Sequence, residues 1–271
     1  MAASRIRLLI ILLAAGVIFD LLLIKSNDLR ISLGRPAELT GYWLFGIMVF
    51  LALFNLRKKL SMIPLGSAAV WLALHAVGGL LTLALYLLHT QNLWPLGVYE
   101  QVLASLFYLT VFSGVFGYVV QKIYPPRLTQ SGVEVIYERI PAHLSELRQD
   151  AEELVLRCSE ETSMDTVGRH YLDTMAWFFR RPRFALSHVL GGQKSVQWIR
   201  QQDANVRRYL NSDECEYLDK LTEMAILKNG IDLHYALQSI MKRWLMFHLP
   251  LTAALMVLSV WHLLVVNVYA L

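Results

Sequence analysis

The chain has 271 residues, of which 56% are hydrophobic and 17% charged, against about 45–50% and about 25% in soluble domains. With a mean hydropathy of +0.44, this excludes a disordered or collagen-like chain and argues against an ordinary soluble enzyme. The net charge of +4 does not mark a nucleic-acid binder. Residues 122–243 hold seventeen basic and seventeen acidic side chains, and the excess lies in residues 1–121, with eight basic against four acidic.

Five apolar stretches, near 6–25, 41–57, 67–90, 97–121 and 244–270, approach the ~20 residues a membrane-spanning helix needs. They predict an all-α integral membrane bundle of five transmembrane helices. The first opens MAASRIRLLIILLAAGVIFDLLLIK, basic and then apolar like a signal peptide. No small-residue cleavage site follows and the run exceeds a typical h-region, so it reads as a retained anchor. The second, GYWLFGIMVFLALFN, ends at Arg57, Lys58 and Lys59, and Pro64 and Gly66 mark the turn into the third. Tyr124-Pro125-Pro126 closes the fourth.

The basic residues set orientation. Arg5, Arg7 and the 57–59 cluster favour a cytoplasmic N-terminus, while Lys25, Arg30 and Arg35 pull the other way. An inside N-terminus also places the charged insert in the cytoplasm and the C-terminus in the periplasm of a cytoplasmic (inner) membrane. The predicted organisation is transmembrane helices one to four in 1–121, a helical cytoplasmic insert in 122–243, and the fifth transmembrane helix in 244–271.

Within the insert, Leu144, Leu147, Ala151, Leu154, Val155 and Cys158 recur at helical spacing. Residues 165–179, 196–209 and 214–228 read as further helices. Asn229-Gly230 predicts a stop, and Asp232 opens a last helix running into the fifth span. Cys158 and Cys215 read as buried thiols; two cysteines exclude a disulfide scaffold and a Cys-ligated iron–sulfur cluster. His143, His170, His188 and His234 lack metal-ligand spacing. The run Phe178-Phe179-Arg180-Arg181-Pro182-Arg183-Phe184 mixes bases with aromatics and suggests contact with anionic membrane lipid; an acidic electron carrier is the alternative.

The apolar spans carry four more histidines: His75 and His89 in the third, His248 and His262 in the fifth. Histidine inside a hydrophobic span is costly and usually functional. Each pair is separated by 14 residues, which is about 40° short of four turns, so each pair shares one helix face. The two rings of a pair stand roughly 21 Å apart along the axis, too far to chelate one ion. An even number of crossings makes the third and fifth spans parallel, so His75 meets His248 at the cytoplasmic level and His89 meets His262 at the outer level. Two stacked bis-histidine sites suit two haem b groups. Zinc or copper transport would need ligands clustered in one coordination sphere.

Gly78 and Gly79, one turn from His75, leave room for a flat macrocycle or serve close helix packing. Thr82 and Tyr86 lie between the two histidines, and Thr252 and Ser259 lie beside His248 and His262. Arg57, Lys58, Lys59 and Arg243 border the bundle where propionates could pair with them. Glu100, at the start of the fourth span, is either a proton acceptor or an interfacial acid; Asp20 lies in the first span.

This pattern resembles the di-haem transmembrane cytochromes b: the four-helix core of quinol–cytochrome c oxidoreductases and of the transmembrane ferric reductases and NADPH oxidases. In those families two helices each supply two histidines 13 or 14 residues apart. The resemblance covers about 110 residues at the level of motif and topology, and extends only to His75, His89, His248 and His262 as axial ligands. It implies electron transfer with a quinol or quinone, or a cytoplasmic reductase, on one side. A periplasmic c-type cytochrome or other redox protein would serve the other. No Gly-x-Gly-x-x-Gly, Walker, Gly-x-Ser-x-Gly or HExxH motif is present, so a subunit of a larger redox complex is expected rather than a self-contained enzyme. The competing expectation is a haem-free membrane scaffold or regulator whose insert binds a cytoplasmic partner.

Overall fold

The computed structural model describes residues 2–55 and 67–269, and all regular elements among them are helical. The expected 57–59 basic cluster and the Pro64/Gly66 turn lie outside the described residues. In chain order the elements are α1 (Ala2–Ile31), α2 (Pro36–Ala52) with a 3-10 turn (Leu53–Asn55), α3 (Ala68–Thr90) and α4 (Val98–Gln130). After a second 3-10 turn (Tyr137–Arg139) come α5 (Ile140–Thr162), α6 (Thr166–His170), a π turn (Tyr171–Met175), α7 (Ala176–Phe179), α8 (Ala185–Leu190), α9 (Lys194–Arg207) and α10 (Ser212–Tyr269).

Four helices are long and apolar enough to cross a membrane: α1 from Ile6, α3, α4 and α10. The remaining expected span, α2, has 17 residues, about 25 Å of helix against a hydrocarbon layer of ~30 Å. It starts earlier than the hydropathy suggests because Pro36 occupies its first turn, where a missing N–H costs nothing.

Two compact units result: Met1–Val119 with Trp244–Leu271, and Val120–Arg243. The first unit is a helical bundle. Its core joins Leu22 of α1, Leu44 and Met48 of α2, Leu81, Leu85 and Tyr86 of α3, Ala104 and Phe107 of α4, and Leu255 of α10. The outward faces stay apolar, with Leu13, Phe112, Val257 and Trp261 all exposed. A soluble protein rarely leaves so much apolar surface uncovered, and the unit is that of a membrane protein.

The second unit has a core of its own. Leu144, Leu147, Ala151, Val155 and Cys158 of α5 pack with Val167, Tyr171, Met175, Phe178, Phe179, Ile199, Leu221 and Ala225. Burying each large side chain here contributes roughly 1.5–3 kcal/mol. The expected helix over 165–179 is present but interrupted by the π turn. Phe178 and Phe179 are fully buried, so these two aromatics of the basic–aromatic run belong to this core. Cys158 is buried and free; Cys215 is free and only half-buried.

Two expected breaks are absent. Asn229-Gly230 does not stop a helix, and Asp232 does not start one, because α10 is continuous from Ser212 to Tyr269. Gly230 is a contact residue: a Cβ there would stand 2.6 Å from Val133 Cγ2. Pro125-Pro126 does not end α4 either. Both prolines are exposed, so water can reach the two carbonyls their missing N–H groups leave open.

The stripe of α10 facing this core runs Leu218, Leu221, Ala225, Lys228, Asp232, alternating steps of three and four as a buried helix face requires. Two of its members are charged. Lys228 Nζ lies 2.5 Å from Asp232 Oδ2 with both side chains fully buried. It also donates to the Arg181 carbonyl at 2.9 Å and sits 4.0 Å from the Phe178 ring centre. Asp232 accepts the Arg183 backbone N–H at 3.1 Å. Burial outweighs the partner's attraction for both groups, pulling Lys228 down to about 8 and pushing Asp232 up to about 6.

His188, in α8, is buried as well, with Nε2 unpartnered. Burial, then Lys228 and Arg127, push it down to about 4. Between that value and 6.5 the unfolded chain binds a proton that the folded one refuses, so His188 makes the insert less stable as pH falls through this window. We expect His188→Gln to remove about 2 kcal/mol of the stability lost between pH 7 and pH 5, read from thermal unfolding of wild type and variant at both pH values.

Candidate functional site

The first unit brings the four span histidines together in twos. His75 lies close enough to His248, and His89 to His262, for each pair of rings to interact electrostatically. The pairing order makes α3 and the C-terminal part of α10 parallel. Neighbouring side chains come from α2 and α4.

His89 sits in the last turn of α3, against the first turns of α2. Its Nδ1 is 3.0 Å from the Ala37 carbonyl oxygen and 3.3 Å from Thr40 Oγ1. A carbonyl only accepts, so the proton is assigned to Nδ1 and the lone pair is left on Nε2. Gly41 lies under the ring: a Cβ there would meet His89 Cε1 at 2.9 Å. His262 stacks at 6.0 Å and 20° on Tyr99 of α4, whose hydroxyl donates to the Leu258 carbonyl at 2.8 Å. Glu100 is within electrostatic reach of the same ring.

The second site repeats the device from the other helix. His248 Nδ1 is 2.6 Å from Ser113 Oγ of α4, and Ser113 can donate its hydroxyl hydrogen to the Thr110 carbonyl at 3.2 Å. The serine then accepts from Nδ1–H and again leaves the Nε2 lone pair unused. Gly114 follows, and a Cβ on it would stand 3.7 Å from His248 Cε1. Trp244 stacks on His248 at 5.4 Å and donates its indole N–H to the Ser113 carbonyl at 2.7 Å. His75 rests against Phe54 at 4.8 Å, and its buried Nδ1 makes no hydrogen bond of normal geometry. Phe50, Leu51, Phe54 and Trp71 close around it and leave no room for a water molecule.

A hydroxyl residue followed by glycine therefore supports one histidine of each pair: Thr40-Gly41 for His89 and Ser113-Gly114 for His248. In each the hydroxyl contacts Nδ1; Gly41 makes room for the His89 ring, whereas a Cβ on Gly114 would be in ordinary contact with His248. These four residues are absent from the site expected on sequence. Their signal is a hydroxyl–glycine dipeptide inside an apolar span, visible only once the histidines are paired across helices.

The expected neighbours make contacts of their own. Gly78 serves close packing, since a Cβ on it would meet Leu51 Cδ2 at 2.8 Å, whereas Gly79 has nothing within 4 Å. Thr82 donates to the Gly79 carbonyl and Thr252 to the His248 carbonyl, both within their own helices. Tyr86 stacks on Phe107 at 4.4 Å. Asp20 is exposed on α1.

Chemically, each site offers two imidazoles and no more. Among the described residues no group of three or more His, Cys, Asp or Glu converges as a chelated ion would need. Imidazoles with Nδ1 hydrogen-bonded and Nε2 free are the form in which protein histidines bind metals. His75 with His248, and His89 with His262, would each supply two imidazole ligands to a haem iron. The donor set fits haem. Comparison with protein-family models, characterised proteins and solved structures finds no match.

Gly117 tests the support of His248. A Cβ there would stand 1.9 Å from Trp244 Cζ2, so Gly117→Ala must displace the indole. Overpacking of this kind costs roughly 1–3 kcal/mol. The expected outcome is a lower thermal unfolding midpoint, with quenched or shifted tryptophan emission reporting the moved ring.

Proposed function

We propose that the protein is a di-haem b-type cytochrome that relays single electrons across a membrane, as a subunit of a larger redox complex. The observation that carries this reading is the paired support just described: two histidine pairs at two levels of one bundle, with Nδ1 of His89 and of His248 fixed by α2 and α4 and Nε2 free. His75 with His248 would hold one haem and His89 with His262 the other. Bound haem would supply the one-electron iron chemistry.

The chain's own residues do the rest. Thr40, the Ala37 carbonyl and Ser113 orient the ligand rings and fix their tautomers. Gly41 allows the α2 backbone close to the His89 ring, and the apolar core around Leu85 and Phe107 keeps water out. Two levels roughly 21 Å apart divide the ~30 Å hydrocarbon layer into shorter steps. In this reading α2 also crosses the membrane, as the second of five spans, the N-terminus and insert are cytoplasmic, and the C-terminus is periplasmic. Quinol or a cytoplasmic reductase would serve the inner level and a periplasmic c-type cytochrome or another redox protein the outer one.

Proteoliposomes with ferricyanide trapped inside and a membrane-impermeant reductant outside test this function. Wild type is expected to reduce the trapped acceptor, and His89→Ala to abolish the reduction. Equal rates with wild type and with empty vesicles would count against transmembrane electron transfer. The separate core of residues 120–243 favours one further role, recognition of a cytoplasmic partner; without haem, that role would stand alone as a scaffold or regulator.

A further inference from the structure

The proposed electron transfer makes no use of the segment from Trp177 to Leu190, yet the second unit fixes this segment firmly. Its loop, Arg180 to Phe184, is pinned to α10 by the buried pair: Lys228 donates to the Arg181 carbonyl and Asp232 accepts from the Arg183 N–H. Phe184 caps α8 in the left-handed region, at φ 54°, a strained choice for an aromatic residue. At the other end of α8, Arg127 of α4 donates to the carbonyls of His188 and Val189.

What this anchoring displays is not what a free surface usually carries. Leu186 and Leu190, four residues apart and so on one face of α8, are 72% and 76% exposed. Trp177 is 45% exposed and packs edge-on against Phe184. The Arg183 guanidinium lies 3.9 Å over the Trp177 ring, and Arg180 and Arg181 are exposed beside it. From Leu172 to Lys194 the sequence has four cations and a single carboxylate, Asp173.

We infer that this patch is a docking surface for anionic lipid headgroups, with Leu186, Leu190 and Trp177 entering the interface and Arg180 and Arg181 pairing with phosphates. Two observations commit it to lipid and not to a protein. The unit that carries it is continuous, through α4 and α10, with helices apolar enough to span a bilayer, so a lipid surface is always within the tether. The make-up of the patch, with leucines and a tryptophan beside unpaired arginines, is that of interfacial segments on anionic membranes. The inference does not depend on haem.

The test uses the full chain with Cys158→Ala and Cys215→Ala, a bimane label at Leu190→Cys, and a control label at Leu156→Cys, an exposed site on α5. The protein is placed in nanodiscs of phosphatidylcholine alone or mixed with phosphatidylglycerol, with headgroup-nitroxide lipid as quencher. Quenching and a blue shift at position 190, not at 156, are expected in the anionic discs. Arg180→Glu with Arg181→Glu should lower the docked-to-free ratio by about twentyfold or more, at roughly fivefold per lost cation. A label that stays in water in both discs would overturn the inference and turn attention to a protein partner. Contact that persists after both charge reversals would overturn it too. Circular dichroism of each variant separates loss of docking from loss of fold.

Discussion

His89→Ala and His262→Ala are each expected to lower the haem content from two per chain to one, leaving the haem held by His75 and His248. His75→Ala and His248→Ala should do the same at the other level. The expectation follows from geometry: the rings pair across helices, and the two of one helix lie about 21 Å apart, so each substitution disables one site. The supports should grade the effect. Ser113→Ala removes the hydrogen-bond partner of His248 Nδ1 and should weaken haem retention at that site by about 10–100-fold, the usual cost of losing such a contact. Thr40→Val should do less, because His89 Nδ1 keeps the Ala37 carbonyl. Pyridine haemochrome assays on the purified variants give the count. If Ser113→Ala and Thr40→Val both behave as wild type while the histidine variants lose haem, the ligands stand and the supports do not.

Lys228→Ala should be the most damaging single change in the insert. It leaves the Asp232 carboxylate fully buried without its hydrogen-bonded cation, only Arg183 remaining within electrostatic reach, a loss of roughly 3–5 kcal/mol, and also releases the Arg181 carbonyl. Asp232→Ala should cost a similar amount by stranding the ammonium. The double variant Lys228→Met with Asp232→Leu fills the same stripe with apolar atoms and should recover most of the loss. Thermal unfolding of the four proteins at neutral pH closes the cycle; additive losses in the double variant would contradict a coupled pair. Because the same pair pins the Arg180–Phe184 loop, the single variants should also raise protease sensitivity there.

Hydropathy made the apolar helices legible in the sequence, since their lengths follow from the ~30 Å that a chain must cross without exposing backbone polar groups. The insert was less legible, because local signals there compete with packing. Asn229-Gly230 has the composition of a helix stop, but Gly230 is needed for the close approach of Val133, and burial of Ala225, Ile231 and Leu237 on both sides holds α10 straight through it. Pro125-Pro126 does not break α4, and both prolines lie on its exposed side. The pattern Leu218, Leu221, Ala225, Lys228, Asp232 was written in the sequence. It went unread as one stripe because two of its members are charged, and only tertiary burial shows that they sit inside.

The histidines were legible from spacing alone, as 3.6 residues per turn places a 14-residue pair on one face. What spacing does not carry is the partner helix. Thr40-Gly41 and Ser113-Gly114 lie on spans without a histidine of their own, and their relation to His89 and His248 exists only in the folded bundle. Nor does spacing show that Gly78, one turn from His75, packs against Leu51.

The account stands or falls on whether the purified chain holds haem. A dithionite-reduced minus oxidised absorption spectrum, paired with a haem count on the same folded sample, measures this directly. The account predicts a b-type α-band and two haems per chain. A folded preparation, helical by circular dichroism and obtained from haem-replete cells, that shows no haem absorption would contradict it.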